Sequence, residues 1–439
     1  MQTTHNNYMK YWIWGLLLCL PLAAQGYTVG EITAESTRMS GNTLKRHFLM
    51  KPGEEFSSAR YEYAQDELHK LRVFKKLDFT ATPRGDKMDI NIRADDGWYL
   101  FPMGFIAGGS KRAAGLSLAG GNIFKQGEST FLFVGGGKDG WTSQIGVGAT
   151  QHFLNLRYTH LKADQRFYQD NWFNIPSVFS TADDKEDHED KLLREVEGTQ
   201  DIVALTYKYR FAPHWRAALR PQYKHISYKH DALDSGNHHQ VAVGLEYSRD
   251  IRPGLNMGAL SGYGLTDKTK SLQDLPGVRS GYTGAVYYTN GGDWTGSDYS
   301  ISKLSIEGAW ILELPARHVF MWQVKGENAF TTPFSDQVAS TDLLSSGRYD
   351  RQLRGKRGAG STVSFMYYLM RNDTGLLSIT PFYELSYVDT GARYQPHSGA
   401  GASLMYRLWR FPLPFGLNYT HNLQDGSHQF SVAVGGSFR

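Results

Sequence analysis

From Gly97 to Arg439 the chain alternates apolar and polar residues with a period of two and never settles into a helical repeat. The last stretch shows it cleanly. Phe430, Val432, Val434 and Phe438 fall on one face, and Ser431, Ala433, Gly435 and Ser437 on the other. About seventeen such segments follow one another, each near the length that a tilted strand needs to cross a bilayer. Only 41% of the residues are hydrophobic, yet 13% are aromatic and 47 are glycine, and the mean hydropathy is −0.44. Strands that turn an apolar face to lipid and a polar face to a wet interior have this composition. A soluble two-domain enzyme would instead show helical periodicity and more leucine and alanine. The expected fold class is mostly β: a transmembrane antiparallel barrel.

Such a barrel closes with an even number of strands, so about sixteen are expected. Tight turns, such as Ala212-Pro213-His214 and Arg371-Asn372-Asp373-Thr374, should alternate with longer loops, such as 170–198 and 333–358. The alternation holds before about 230 and after about 292, so the surplus segment lies between 238 and 291. The acidic run Asp183 to Asp190 fits no calcium-loop spacing and reads as a solvated loop. No metal site and no cofactor are expected. A net charge of +4, spread thinly, gives no reason to expect nucleic-acid binding.

Residues 1–26 read as an export signal. Lys10 precedes the apolar run Tyr11 to Leu20, and Pro21, Ala23, Ala24 and Gly26 follow. The run is too short to span a bilayer as a helix. Cys19, the single cysteine, lies inside it, so the mature chain is expected to hold no disulfide, zinc-thiolate site or cysteine nucleophile.

Residues 27–96 differ in character from everything after them. A strand at Thr28 to Ile32 precedes a short helix through Leu44 and Phe48, capped at Ser40-Gly41-Asn42 and stopped by Pro52-Gly53. A second helix starts at Ser57 or Ser58, and two alternating strands, Leu77 to Ala81 and Met88 to Ile92, meet at Pro83-Arg84-Gly85-Asp86. This β-α-α-β-β order resembles a POTRA domain. So do Gly41-Asn42, Lys51-Pro52-Gly53-Glu54-Glu55-Phe56 and Leu68 to Phe74 at their places. The resemblance implies a periplasmic module that lends sheet edges to extended clients.

One stretch stands apart within 97–439. Between Ser345 and Gly358 the chain carries Arg348, Arg351, Arg354, Lys356 and Arg357 against a single acid, Asp350, with glycines interspersed. Read alone, it is a solvated basic loop. Placed where water is scarce, it would need carboxylates from the surrounding fold. Leu353-Arg354-Gly355 matches a motif of the BamA/TamA surface-antigen superfamily, with Lys356 where an aromatic is usual. The strand Thr380 to Gly391 resembles the family's Phe-x-Asp-x-Gly strand, with Glu384 in the acidic place and Ser386 in place of glycine. The chain is thereby similar to that superfamily, which implies that the loop folds into the lumen and that Arg354 meets Glu384.

The resemblance further implies a non-enzymatic protein of a bacterial outer membrane, its POTRA domain in the periplasm. Its partners would be client polypeptides, outer-membrane lipid and periplasmic chaperones. Clients are inserted or exported through a seam between first and last strands, because an edge with unpaired amides in lipid is primed to pair. The residues placed at this seam are Phe105, Gly108 and Gly109 in the first strand and Val434, Gly435, Gly436 and Phe438 in the last. Two rivals stand beside this reading. A passive porin needs neither a POTRA domain nor an inward-folding loop. An outer-membrane enzyme needs a nucleophile motif, and the near miss Gly115-Leu116-Ser117-Leu118-Ala119 lies in a strand rather than at a strand-to-helix turn.

Overall fold

The computed structural model describes residues 27–69, 71, 73–109, 113–138, 140–149, 151–162, 165–168, 192–229, 235–249, 281–315, 318–340, 342–344, 354–371, 375–389, 394–408, 415–423, 426 and 428–434. The chain divides into two compact units, Met1–Gly97 and Trp98–Arg439.

The first unit runs β1 (Thr28–Ser36), α1 (Gly41–Phe48), α2 (Ser58–His69), β2 (Phe74–Arg84) and β3 (Lys87–Asp96). Its sheet has the order β1-β3-β2, with β1 parallel and β2 antiparallel to β3. Val29, Ile32, Leu44, Phe48, Leu68, Ile90 and Ile92 form the buried interior between helices and sheet, and the Phe48 ring stacks on Phe79 at 6.0 Å. Ser40 caps α1 by accepting from the Thr43 amide at 3.1 Å. A Cβ on Gly41 would lie 2.3 Å from the Ala34 carbonyl oxygen, so only glycine lets the helix start this close to β1. Asp96 ties the far ends together: its carboxylate accepts from the Arg38 amide at 2.8 Å and the Met39 amide at 3.2 Å.

The second unit is a closed antiparallel barrel of sixteen strands. The first five are β4 (Tyr99–Gly109), β5 (Ala113–Gly121), β6 (Ser129–Gly137), β7 (Gly140–Gly148) and β8 (His152–Lys162). A two-stranded extension, β9 (Gln165–Tyr168) and β10 (Leu192–Val196), rises from the connection after β8. The wall continues with β11 (Gly198–Ala212), β12 (Trp215–Tyr228), β13 (Gly236–Arg249), β14 (Gly281–Gly291), β15 (Ile301–Glu313) and β16 (Val319–Thr331). Two short pieces, β17 (Val338–Ala339) and β18 (Arg354–Gly355), pair with each other outside the wall ladder. The wall ends with β19 (Arg357–Arg371), β20 (Gly375–Asp389), β21 (Tyr394–Leu408), β22 (Phe415–Asn422) and β23 (His428–Val434), and β23 pairs with β4.

The even count comes out as expected, and the surplus segment near 253–267 lies outside the described residues. The wall strand β8 stops at Lys162, and β9 pairs with β10 instead of the wall. Gly115 to Ala119 is wall in β5, with Leu116 73% exposed on the outside.

The barrel is inside out relative to a soluble protein. Along β6, β7, β8 and β11 the outward residues are Leu132, Ile145, Leu156 and Leu205 in one register row, all exposed. Phe430 and Val432 continue this outward face on β23. The residues between them point inward and are polar or small: Thr362 and Ser364 on β19, Ser378, Glu384 and Ser386 on β20, Asn418 and Thr420 on β22, all buried. Exposing so much apolar surface to water would be untenable, so the wall faces lipid.

Candidate functional site in the lumen and at the seam

The connection between β16 and β19 folds inward as a strap. Val338, Leu343 and Leu344 are buried, and Val338 and Leu343 cluster with Ala329 and Val388 of the wall. The wall is shaped to receive it. A Cβ on Gly360 would lie 2.3 Å from the Leu343 carbonyl oxygen, and one on Gly358 would lie 2.6 Å from Leu343 Cδ1. Gly358, which ends the basic stretch, and Gly360 just beyond it therefore serve close packing rather than turning. Further along, Gly355 abuts the Asp389 carbonyl, the Lys356 amide donates to that oxygen at 3.2 Å, and the Ala329 amide donates to the Lys356 carbonyl at 2.6 Å.

Polar contacts fasten the strap on two sides. Asp336, in the turn Phe334–Asp336, accepts from Lys224 of β12 and meets His238 Nδ1 of β13 at 2.6 Å. His238 is 0% exposed and the Lys224 side chain 4%. Burial pushes the Asp336 carboxyl up, but the Lys224 ammonium and the hydrogen bonds from His238 and Lys224 more than reverse this, holding it well below the usual carboxylate range. On the other side, Ser340 Oγ lies 3.2 Å from His397 Nδ1 of β21. Beneath the strap the inner wall is charged and paired. Glu246 receives Lys208 at 2.7 Å and Arg220 at 3.1 Å, with the Arg220 guanidinium 3.8 Å over the Tyr287 ring. Lys303 meets Glu327 at 3.1 Å. A cavity of about 260 Å³ remains there, bounded by Arg220, Tyr287, Lys303, Glu327 and Leu343.

Of the expected lumen residues, Arg354 belongs to the strap: it pairs with Ala339, and its Nη1 donates to the Ser335 carbonyl at 3.3 Å. Glu384 is fully buried on the inward face of β20, opposite Thr362 and Gly399. Gly355 is buried and Lys356 exposed. Leu353, Arg348 and Arg351 lie outside the described residues, as does the acidic run 183–190. Sequence reasoning missed Asp336, His238, Ser340 and His397. Lys224 carried a signal, since a lysine on the inward parity of a strand needs an acid, but that acid sits 112 residues later.

At the seam, the described residues of β23 and β4 pair Ser431 with Gly109, Val432 with Gly108, Ala433 with Ala107 and Val434 with Ile106. Val434 stands opposite Ile106, the neighbour of Phe105. Gly435, Gly436 and Phe438 lie outside the described residues.

No protein-family model matches the sequence, and no curated protein matches it. Solved structures do. CdiB from Escherichia coli superposes with a TM-score of 0.61 at 13% identity, over 93% of this chain and 76% of that one. CdiB from Acinetobacter baumannii gives 0.57 at 10% identity, over 93% and 74%. BamA from Haemophilus ducreyi, lacking POTRA domains 1–3, gives 0.52 at 11% identity, over 93% and 84%. The wall, its strand count and its inward strap together give this chain the fold of a BamA-type transmembrane β-barrel.

Proposed function

We propose that this protein is a non-enzymatic outer-membrane assembly or translocation factor that inserts or exports client polypeptides. Residues 27–96 act as a single periplasmic POTRA domain and the β23–β4 seam is the point where the wall opens. The observation that carries the reading is the strap fastened inside the barrel to β12, β13 and β21. A lumen partly filled and cross-braced from inside suits a gated passage better than a steady pore. In lipid, unmade amide pairs are costly, so a wall that parts at its closure would pair readily with an incoming client edge. In this reading Arg354 supports Glu384 from within the strap. Arg354→Ala should impair barrel stability or activity more than Arg348→Ala, and equal, negligible effects would return the stretch to a solvated loop.

The test is quantitative proteomics of the outer-membrane and secreted fractions with and without the protein. Depletion of a specific set of polypeptides, regained on complementation, supports the reading. An unchanged proteome with altered uptake of small solutes would favour a porin.

A further inference from the structure

We propose that Lys138, His160 and Lys162, grouped around Trp141 on the lipid-facing side of β6–β8, bind the phosphate of a membrane lipid. The site lies at the barrel end that also carries the β16–β19 connection. Register places it. Gly136 is opposite Trp141, Trp141 is opposite His160, and His160 is opposite Asp201. All share the outward parity of Val134, Ile145 and Leu156, which are exposed to lipid.

The wall is hollowed here, with a recess of about 380 Å³ between these side chains. Its floor is glycine by necessity. A Cβ on Gly136 would lie 2.6 Å from the Trp141 Cβ, and one on Gly140, at φ +141°, would lie 2.0 Å from the His160 carbonyl oxygen. The recess therefore stays free of side chains at its base while cations line its rim.

Among the described residues, the carboxylates nearest the recess have other hydrogen-bonded partners. Asp201 accepts from Tyr158 at 2.6 Å and meets His160 Nδ1 at 2.9 Å. Glu197 is paired with Lys229 and attracts Lys162 only at longer range. Among the described residues, Lys138 and Lys162 make no ion pair, and both are exposed. An ammonium on the lipid face is costly at the bilayer midplane and costs little at its boundary, so this row sits at headgroup level. An exposed tryptophan beside it is the usual marker of that level. Four residues down the strands, about 13 Å away by strand rise, comes the apolar row Leu132, Ile145, Leu156 and Leu205. A phosphate held by two lysines with acyl chains laid on that row fits both halves of the surface, and free phosphate fits only the upper one.

The experiment uses the full chain purified in detergent, with binding read by native mass spectrometry and by thermal shift. The probes are a diphosphorylated glucosamine lipid, the same lipid dephosphorylated, and inorganic phosphate alone. The first should bind saturably, the second about tenfold or more weakly, and the third not at millimolar concentration. Lys138→Gln with Lys162→Gln should lose about tenfold in affinity for the first lipid, whereas Lys138→Arg with Lys162→Arg should keep it within about threefold. Heat-modifiable electrophoretic mobility reports that each variant is folded. If the glutamine pair does not fold, the arginine pair and the dephosphorylated lipid still decide. Equal binding of both lipids, an unaffected glutamine variant, or full competition by inorganic phosphate would each overturn the assignment.

Discussion

The β20–β21 ladder and the β23–β4 seam belong to one wall but differ in what supports them from inside. Around β20–β21 the strap packs closely: Ser340 reaches His397 on β21, Leu343 fills the space over Gly358 and Gly360 on the adjoining strand, and Val388 joins the strap's apolar cluster. Asp336 adds anchors to Lys224 on β12 and His238 on β13. These anchors all lie on strands other than β4 and β23. A wall that opens at one place without unravelling elsewhere gains from bracing set away from that point.

The strongest way to break the comparison is to make the two closures equal. In a Cys19→Ser background, Ile106→Cys with Val434→Cys, directly opposite at the seam, should crosslink and abolish activity until reduced. Tyr383→Cys with Ala400→Cys, opposite each other across β20–β21, should crosslink and leave activity unchanged. Directly opposed strand positions fall within the roughly 7 Å Cα separation that a disulfide requires. Full activity of the oxidised seam pair would show that opening there is not how the protein works.

Next in size is the loss of the strap's buried anchor. Asp336→Ala leaves Lys224 and His238 without their carboxylate, at a cost of about 3–5 kcal/mol in a dry site and less in a wet one. Thermal unfolding should register it, and Lys224→Met combined with Asp336→Leu should recover most of it. A smaller effect is expected from the apolar anchor. Gly360→Ala drives a methyl into the Leu343 backbone and should cost about 1–3 kcal/mol, seen as faster proteolysis within 332–344. Gly326→Ala, where the nearest atom to a new Cβ is 3.9 Å away, should stay within about 0.5 kcal/mol of the parent.

The smallest expected effect is on pH. The Asp336 carboxyl is depressed in the folded state, so its contribution is full above the unfolded carboxylate value of about 3.9 and is lost as pH falls through the lower folded value. Protease access to the strap should be flat between about pH 5 and 8 and rise only below about pH 4.

The sequence by itself determined the barrel. A period of two over three hundred residues leaves one face of every strand for lipid and one for water, and Leu132, Ile145 and Phe430 outside with Ser386 and Asn418 inside follow from parity alone. It also set apart the cations and glycines gathered at 345–358, of which Arg354 and Gly355 pair with Ala339 and Val338 in the strap. What it left undecided was which atoms meet. Lys224 and Asp336, or Ser340 and His397, join through closure of the whole wall, and neither residue type nor spacing encodes a contact between strands brought together only by the barrel's circumference. The seam register was undecided for the same reason. The parity of β4 and β23 holds for any even shift, and only the closure of sixteen strands chooses Val434 opposite Ile106.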